Sequence, residues 1–436
     1  MQAVILSVGD ELVLGQTVDT NSAHMSAKLT QRGIATLYHR TVADDRAAIA
    51  EAVLEAIGHC SHLLISGGLG PTEDDLSRHA LADALGEPLI MHEPSIEHIR
   101  EIFERHGRTM PPRNKVQAMH PRGTTIIHNP CGTAPGIKAV VGDTHVYAMP
   151  GVPYELVAMF ESSVLPDLDA VAPSRRVILT ATIHTYGLGE SDVAERLESL
   201  MDRDRNPKVG TTVADSCVSI RIRSEFADGD DARRQLEGTI AHVERQLGPI
   251  VFGRDQETIQ QALVTLLRQR SHTVATAESC TGGLVGALIT AVPGSSAVYR
   301  GGWVTYTDRM KTQTLGVAPQ LIATHGAVSQ PVARSMAAGA LKHGDADLAV
   351  AVTGVAGPDG GSTEKPVGTV WIALADRNDT TAENITTDAL LLRLGGDRNQ
   401  IRDRAAKAAL QMLRLRVMGE SIEQVRWGRC EESPGG

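Results

Sequence analysis

Cysteine is scarce in this 436-residue chain, and the five present, Cys60, Cys131, Cys217, Cys280 and Cys430, are odd in number, far apart and without a CxxC pair. That pattern argues against a disulfide framework or a cysteine-based zinc site. Aromatic residues are few as well, at 3%, and the net charge is −10. Without a basic footprint or a supply of stacking rings, nucleic acid is not expected as a partner. Long apolar runs are missing: none approaches the roughly eighteen residues a membrane span needs, so no membrane partner is expected. The opening MQAVILSVGDEL lacks the basic stretch and small-residue cleavage site of a secretory signal. It reads as a first β-strand, and a cytoplasmic protein is expected.

What is present is a globular composition, 42% hydrophobic and 22% charged, in a chain long enough for two or three domains. Residues 3–9, 62–66 and 145–149 are short apolar runs, with helical patterns over 21–31 and 46–57 between them. Alternating strands and helices predict an α/β, doubly wound, mostly parallel sheet over 1–170, with ligands at the carboxyl ends of its strands. Two loops fall there: Gly9-Asp10-Glu11, and the run from Ser66 through Gly67, Gly68, Leu69 and Gly70 to Asp74 and Asp75. Residues 171–253 read as strand, helix (190–201), two strands (207–213 and 217–223), helix (231–246) and strand (249–252). This is a small split βαβ module of ferredoxin-like type, suited to a spacer or dimerisation role. A third domain, 254–420, is again α/β. It holds a helix over 257–270, a strand running into Glu278-Ser279-Cys280-Thr281-Gly282-Gly283, strands over 347–353 and 368–375 around a glycine-rich loop, and an amphipathic helix over 397–418. The tail, 421–436, ends in ESPGG and is expected to fray.

Three segments of the last domain carry residue types that suit chemistry: AESCTGG (277–283), PGSSAVYRGGWVTYTDRMK (293–311) and AVTGVAGPDGGSTEKPVGT (351–369). Thr281, Gly282 and Gly283 in the first, and Thr353, Gly354 and Gly357 in the third, sit where strands end. Backbone amides in such turns can approach an anion, as phosphate does at helix N-termini. In the middle segment Ser295-Ser296, Tyr306 and Lys311 offer a hydroxyl and an amine, and a buried lysine can lose its proton and act as a base toward serine. Arg309 could assist that loss. The alternative is that Asp308 and Lys311 form an exposed i,i+3 ion pair on one helical turn. Ser279 and Cys280 are rival nucleophiles at the end of a strand, although a cysteine of this kind more often packs as a small hydrophobe.

The ensemble of ESCTGG, GSS, YxxxxK, VTGVAGP, EKPVGTV and GDRxxIR (396–402) resembles the competence/damage-inducible CinA family. That resemblance implies a C-terminal nicotinamide-nucleotide amidohydrolase with Ser296 as nucleophile, Lys311 as general base and Tyr306 in the same network. Ser279, Thr353 and Arg402 would line the pocket, with Arg398 competing with Arg402 for the phosphate. The substrate would be nicotinamide mononucleotide, and no cofactor is needed for that reaction. GGLGPTEDD is similar to the glycine signature of MoaB/MogA-type molybdopterin-binding proteins, with Leu69 where they carry threonine. In the family this first domain is associated with metal-dependent hydrolysis of ADP-ribose. Glu11, Asn21, Gly67, Gly68, Gly70, Asp74, Asp75, Pro150, Gly151 and Glu155 match its motif positions, and Asp74 and Asp75 are the metal candidates for Mg²⁺, Mn²⁺ or Co²⁺. Read from the residues alone, Thr72 and Asp75 could equally form a capping box that opens a helix. A homodimer is expected on base rates. The alternative function is a nucleotide-binding regulatory protein of competence or DNA repair that has no turnover.

Overall fold

The computed structural model describes residues 1–171, 177–214, 216–377 and 385–426. The ESPGG tail and Cys430 lie outside them. The chain divides into two compact units, one made of 1–179 with 224–233 and the other of 180–223 with 234–436. No helix among the described residues is long and apolar enough to cross a membrane.

The first unit is built on strands β1 (Gln2–Val8), β2 (Ala35–Val42), β3 (His62–Ser66), β4 (Leu89–Met91), β5 (Met119–Pro121), β6 (Thr125–Ile127), β7 (Gly136–Val141) and β8 (Thr144–Met149). Six of them form one sheet in the order β2-β1-β3-β8-β7-β6, parallel through β8 and antiparallel beyond it. In β1, Val4, Leu6 and Val8 pack into one core while Ala3 and Ile5 pack into the other. A sheet buried on both faces makes its strands read as unbroken apolar runs, which is why β1, β3 and β8 were legible. β2 was not, because it lies at the sheet edge with only Val42 buried. The helices Thr20–Gln31 and Arg46–Ile57 are each capped by the preceding aspartate, Asp19 and Asp45, accepting from the backbone N–H of Ser22 and Ala48.

In the middle module β9 (Val177–Thr185), β10 (Lys208–Ala214), β11 (Cys217–Phe226) and β12 (Val251–Arg254) order as β10-β11-β9-β12. With the helices Glu190–Leu197 and Gly229–Leu247 this is the expected βαββαβ wiring.

The last part carries β13 (Val274–Glu278), β14 (Tyr299–Val304), β15 (Leu348–Gly354), β16 (Thr369–Arg377) and β17 (Ile385–Arg393), ordered β14-β13-β15-β16-β17. The first three are mutually parallel and the last two antiparallel. One face presents Val350, Val352, Ile372 and Leu374; the other presents Ala275, Ala277, Ala349, Ala351, Ala373 and Ala375. The alanine face lets the helix Gln330–Gly344 approach closely, and a Cβ at its Gly344 would lie 2.8 Å from the Ala275 Cβ.

One expectation needs correction. The helix Arg398–Met418 is not amphipathic in its second half: from Ala408 to Leu415 every residue is buried, Gln411 and Arg414 included. Its apolar side chains join the core of the large-residue face, and Arg414 donates 2.8 Å to the Pro249 carbonyl of the middle module. Burial pushes the Arg414 guanidinium down to about 10.

Candidate active sites

In the last domain, β13, β14 and β15 end side by side, so the residues that follow them share the carboxyl edge of the sheet. The Thr305 amide donates to the Glu278 carbonyl and the Ser279 amide to the Val352 carbonyl, which pins the three strand ends together. Lys311 enters from the helix Asp308–Leu315, whose N-cap Thr307 accepts from the Met310 amide. The residue is 1% exposed. The amine Nζ donates 3.2 Å to Ser279 Oγ and 3.0 Å to the Thr305 carbonyl. Burial holds the amine below its ordinary 10.5, opposed in part by Asp308 and Cys280. The Asp308 carboxylate is 3.9 Å away, so the anticipated i,i+3 pair exists, but with the lysine end out of water. Arg309 is exposed, and the lowering of Lys311 owes its cause to burial.

The serine beside the amine is therefore Ser279. Ser296 is exposed on the short turn Ser295–Ala297, and Lys311 spends its hydrogen bonds on Ser279 and Thr305. Tyr306, 57% exposed, accepts 2.7 Å from Arg398, which also donates to the Gly357 carbonyl. Arg402 donates 2.8 Å to the Thr281 carbonyl, so the two arginines attach to different loops of the site. Thr353 is buried and donates 2.9 Å to the Ala327 carbonyl, with Gly354 closing β15 behind it. Cys280 is buried, and desolvation raises its thiol to about 12, which leaves it a packing residue.

The turn 279–283 differs from expectation in one further respect. Gly282 and Gly283 adopt φ of +63° and +95°, which is why two glycines stand there. Their helix, however, is already supplied with an anion. The buried Glu278 carboxylate accepts from the Gly283, Val285 and Gly286 amides at 2.9, 3.1 and 2.9 Å. Sequence reading missed Glu278 because a strand-terminal glutamate carries no local signal of what it will cap.

In the first unit, all ten expected residues, Glu11, Asn21, Gly67, Gly68, Gly70, Asp74, Asp75, Pro150, Gly151 and Glu155, line one cavity of about 560 Å³ at the carboxyl edge of the sheet. Gly67 needs its φ of +104°, and a Cβ there would lie 2.2 Å from the Val8 carbonyl oxygen. Asn21 donates to Ser66 Oγ and to the Gly151 carbonyl, tying its helix to the end of β3 and to the loop after β8. Glu155 accepts 2.6 Å from Asn129. Asp75 is spent inside its loop, accepting from the Gly70 and Thr72 amides at 2.7 and 2.8 Å and from the Thr72 hydroxyl. The helix begins only at Ser77, so Thr72 and Asp75 staple a loop rather than cap a helix. Asp74 is exposed. Beside it the cavity has Asp44, whose carboxyl is raised by burial and by the charges of Asp10, Glu11 and Asp74. Asp44 and the buried Arg78, which donates to the Leu69 and Gly70 carbonyls, are functional candidates that sequence reading missed. Burial pushes Arg78 down to about 10. Among the described residues, no three His, Cys, Asp or Glu side chains converge as a ready metal site.

Three family models match the chain in succession: a probable molybdopterin binding domain over 4–170, a damage-inducible protein CinA KH domain over 180–253, and a CinA C-terminal domain over 256–417. A CinA-like protein of Geobacter metallireducens is 41% identical over 420 residues, covering 96% of this chain and all of the relative. The chain belongs to the CinA family. A CinA-like protein of Geobacter sulfurreducens is 38% identical over 418 residues, again covering 96% of the chain and 100% of the relative. Among solved CinA-family structures, the competence/damage inducible protein CihA of Agrobacterium tumefaciens is 44% identical over 36% of this chain and 91% of its own, with a TM-score of 0.33. The Ser279–Lys311 pair lies within the CinA C-terminal match, and the glycine cavity lies within the molybdopterin-binding match.

Proposed function

We propose that the C-terminal domain hydrolyses the carboxamide of nicotinamide mononucleotide, with Ser279 as nucleophile and Lys311 as its base. The observation that carries this reading is the buried Lys311 amine 3.2 Å from Ser279 Oγ. A neutral amine takes the hydroxyl proton as the oxygen attacks the amide carbon, and the ammonium then returns that proton to nitrogen as the C–N bond breaks and ammonia leaves. Water next attacks the acyl carbon, passes a proton through Lys311 to Ser279, and releases nicotinic acid mononucleotide. Arg398 and Arg402, attached to different loops of the site, are the cations we assign to the 5′-phosphate. Ammonia release from nicotinamide mononucleotide by purified Ser279→Ala, Ser296→Ala and Lys311→Ala tests the assignment. Loss in the first and third, with the second retained, is expected. Loss in Ser296→Ala with Ser279→Ala retained moves the nucleophile to Ser296, and retention in all three removes the reaction from this site.

The first domain we read as a metal-dependent ADP-ribose pyrophosphatase. It is supported by the gathering of the glycine turn and the acids Glu11, Asp44 and Asp74 around one cavity. A divalent ion such as Mg²⁺ fits this donor set, because it takes one or two carboxylates and completes its shell with phosphate oxygens and water. Bound there, it would neutralise pyrophosphate charge. Asp74, Asp44 and Glu11 are the carboxylates left to hold it, since Asp75 is committed to its loop. AMP formation from ADP-ribose with Mg²⁺, Mn²⁺ or Co²⁺, lost in Asp74→Asn, is the test; no AMP with any metal overturns it.

A further inference from the structure

A second cavity in the first unit, about 430 Å³, belongs to neither proposed activity. Four histidines line it: His92, His98, His120 and His128. They come from three parts of the chain. His92 caps and His98 sits within the helix Glu93–Arg105, His120 lies in β5, and His128 follows β6. The rings pair, His98 with His128 at a centroid separation of 4.7 Å and His92 with His120 at 5.8 Å, both edge to face.

The hydrogen bonds determine two of the four tautomers. His98 Nε2 lies 3.2 Å from the Asn129 carbonyl oxygen, which can only accept, so Nε2 carries the proton and Nδ1 has a bare lone pair. His120 Nδ1 lies 2.9 Å from Thr124 Oγ1, whose own hydrogen goes to the Pro121 carbonyl at 2.7 Å. The hydroxyl must therefore accept, Nδ1 carries the proton, and Nε2 is bare. His92 is anchored as well, through Nδ1 to Ser95 Oγ at 2.8 Å. Histidines held by one nitrogen to an oxygen, with the other left basic, have the arrangement that metal-ligating imidazoles adopt. Burial, together with the neighbouring ring of each pair, holds His120 and His128 below the ordinary histidine range.

We propose that this cavity binds a divalent transition-metal ion through its imidazole pairs, with His98 and His128 the primary pair. Two imidazoles on one ion, each with a metal–nitrogen bond of about 2.1 Å and a near-tetrahedral angle between them, place their ring centroids about 5 Å apart. The two observed separations bracket that value. Among the described residues no three such side chains converge, so the primary pair supplies two ligands and water completes the shell. Imidazole nitrogen selects Ni²⁺, Cu²⁺ or Zn²⁺ over Mg²⁺, so the site is chemically distinct from the carboxylates of the neighbouring cavity. The two cavities share Thr133, and Asn129 joins them, its carbonyl holding His98 and its side chain holding Glu155.

The test is Ni²⁺ uptake by the full chain at pH 7.5, by equilibrium dialysis in excess Mg²⁺, with X-ray absorption to identify the ligands. Wild type is expected to hold at least one equivalent with imidazole scattering, and His98→Asn/His128→Asn to lose about one. The variant replaces one half-buried and one exposed ring, so its unfolding midpoint should stay near that of wild type. If it does not fold, His128→Asn alone, at the exposed position, carries the same expectation. Uptake unchanged in the folded variant, or scattering without imidazole, overturns the proposal.

Discussion

Replacing Lys311 by methionine isolates the one group on which the amidohydrolase reading turns. The substitution keeps an unbranched chain of similar volume in a site that is 1% exposed, and removes the amine that reaches Ser279 Oγ and the Thr305 carbonyl. Stability should change little. Two oxygens lose a donor, at a cost of about 1–3 kcal/mol for a buried group left unpaired, while the desolvation that depresses the lysine disappears. Turnover should fall far more. A positioned general base contributes about 10²–10⁴-fold, equivalent to about 3–5 kcal/mol of barrier. The pH dependence has a definite sign. The folded state disfavours the ammonium relative to an unfolded lysine at 10.5. The unfolded chain therefore binds more protons in the window below 10.5, and wild type gains stability over Lys311→Met as pH rises through it. Activity of the wild type should rise with pH along a limb set by the same depressed lysine. The assay is ammonia release from nicotinamide mononucleotide between pH 6 and 10, with urea unfolding of both proteins at each end. Lys311→Arg should be as inactive as the methionine variant, because guanidinium keeps its proton. A loss smaller than about tenfold in Lys311→Met, or an unchanged pH limb, would refute the reasoning.

Three further outcomes are expected. Glu278→Ala should destabilise the last domain by about 3 kcal/mol in urea titration, because three helix-terminal amides lose a charged acceptor at once; Glu278→Gln should recover part of that. Gly67→Ala should abolish AMP formation from ADP-ribose and leave ammonia release intact, since the new Cβ meets the Val8 carbonyl at 2.2 Å in the first unit alone. The buried His62 is lowered from 6.5 to about 4 by burial first and then by His145 and the N-terminus, a gap on the order of 3 kcal/mol. Its folded form refuses the proton that the unfolded chain takes up, so stability is lost as pH falls from 6.5 toward about 4. Comparing urea midpoints at pH 7.5 and 4.5, His62→Leu should show a smaller acid loss than wild type.

The elements legible in the sequence are those whose cause is local. β1, β3 and β8 announced themselves because both faces of their sheet are buried, and the glycine turns at 67–70 and 282–283 because a positive φ must be met residue by residue. The βαββαβ order of the middle module followed from hydrophobic period alone. The ten residues of the glycine cavity were found through motif positions, and tertiary folding brought all of them to one edge.

What tertiary structure decided was who meets whom. Ser279 and Lys311 are 32 positions apart, on the end of one strand and on a helix that follows its neighbour, and no pattern in either segment says that this serine, and not Ser296, receives the amine. Glu278 fills an anion-binding turn that its own sequence advertises as open. The four histidines of the second cavity have no ligand-like spacing, yet a helix, two strands and their loops bring their rings together. Periodicity and turn chemistry act through the nearest few residues and can be read along the chain; burial, proton affinity and the pairing of reactive groups depend on distances that exist only once the sheet edges have formed.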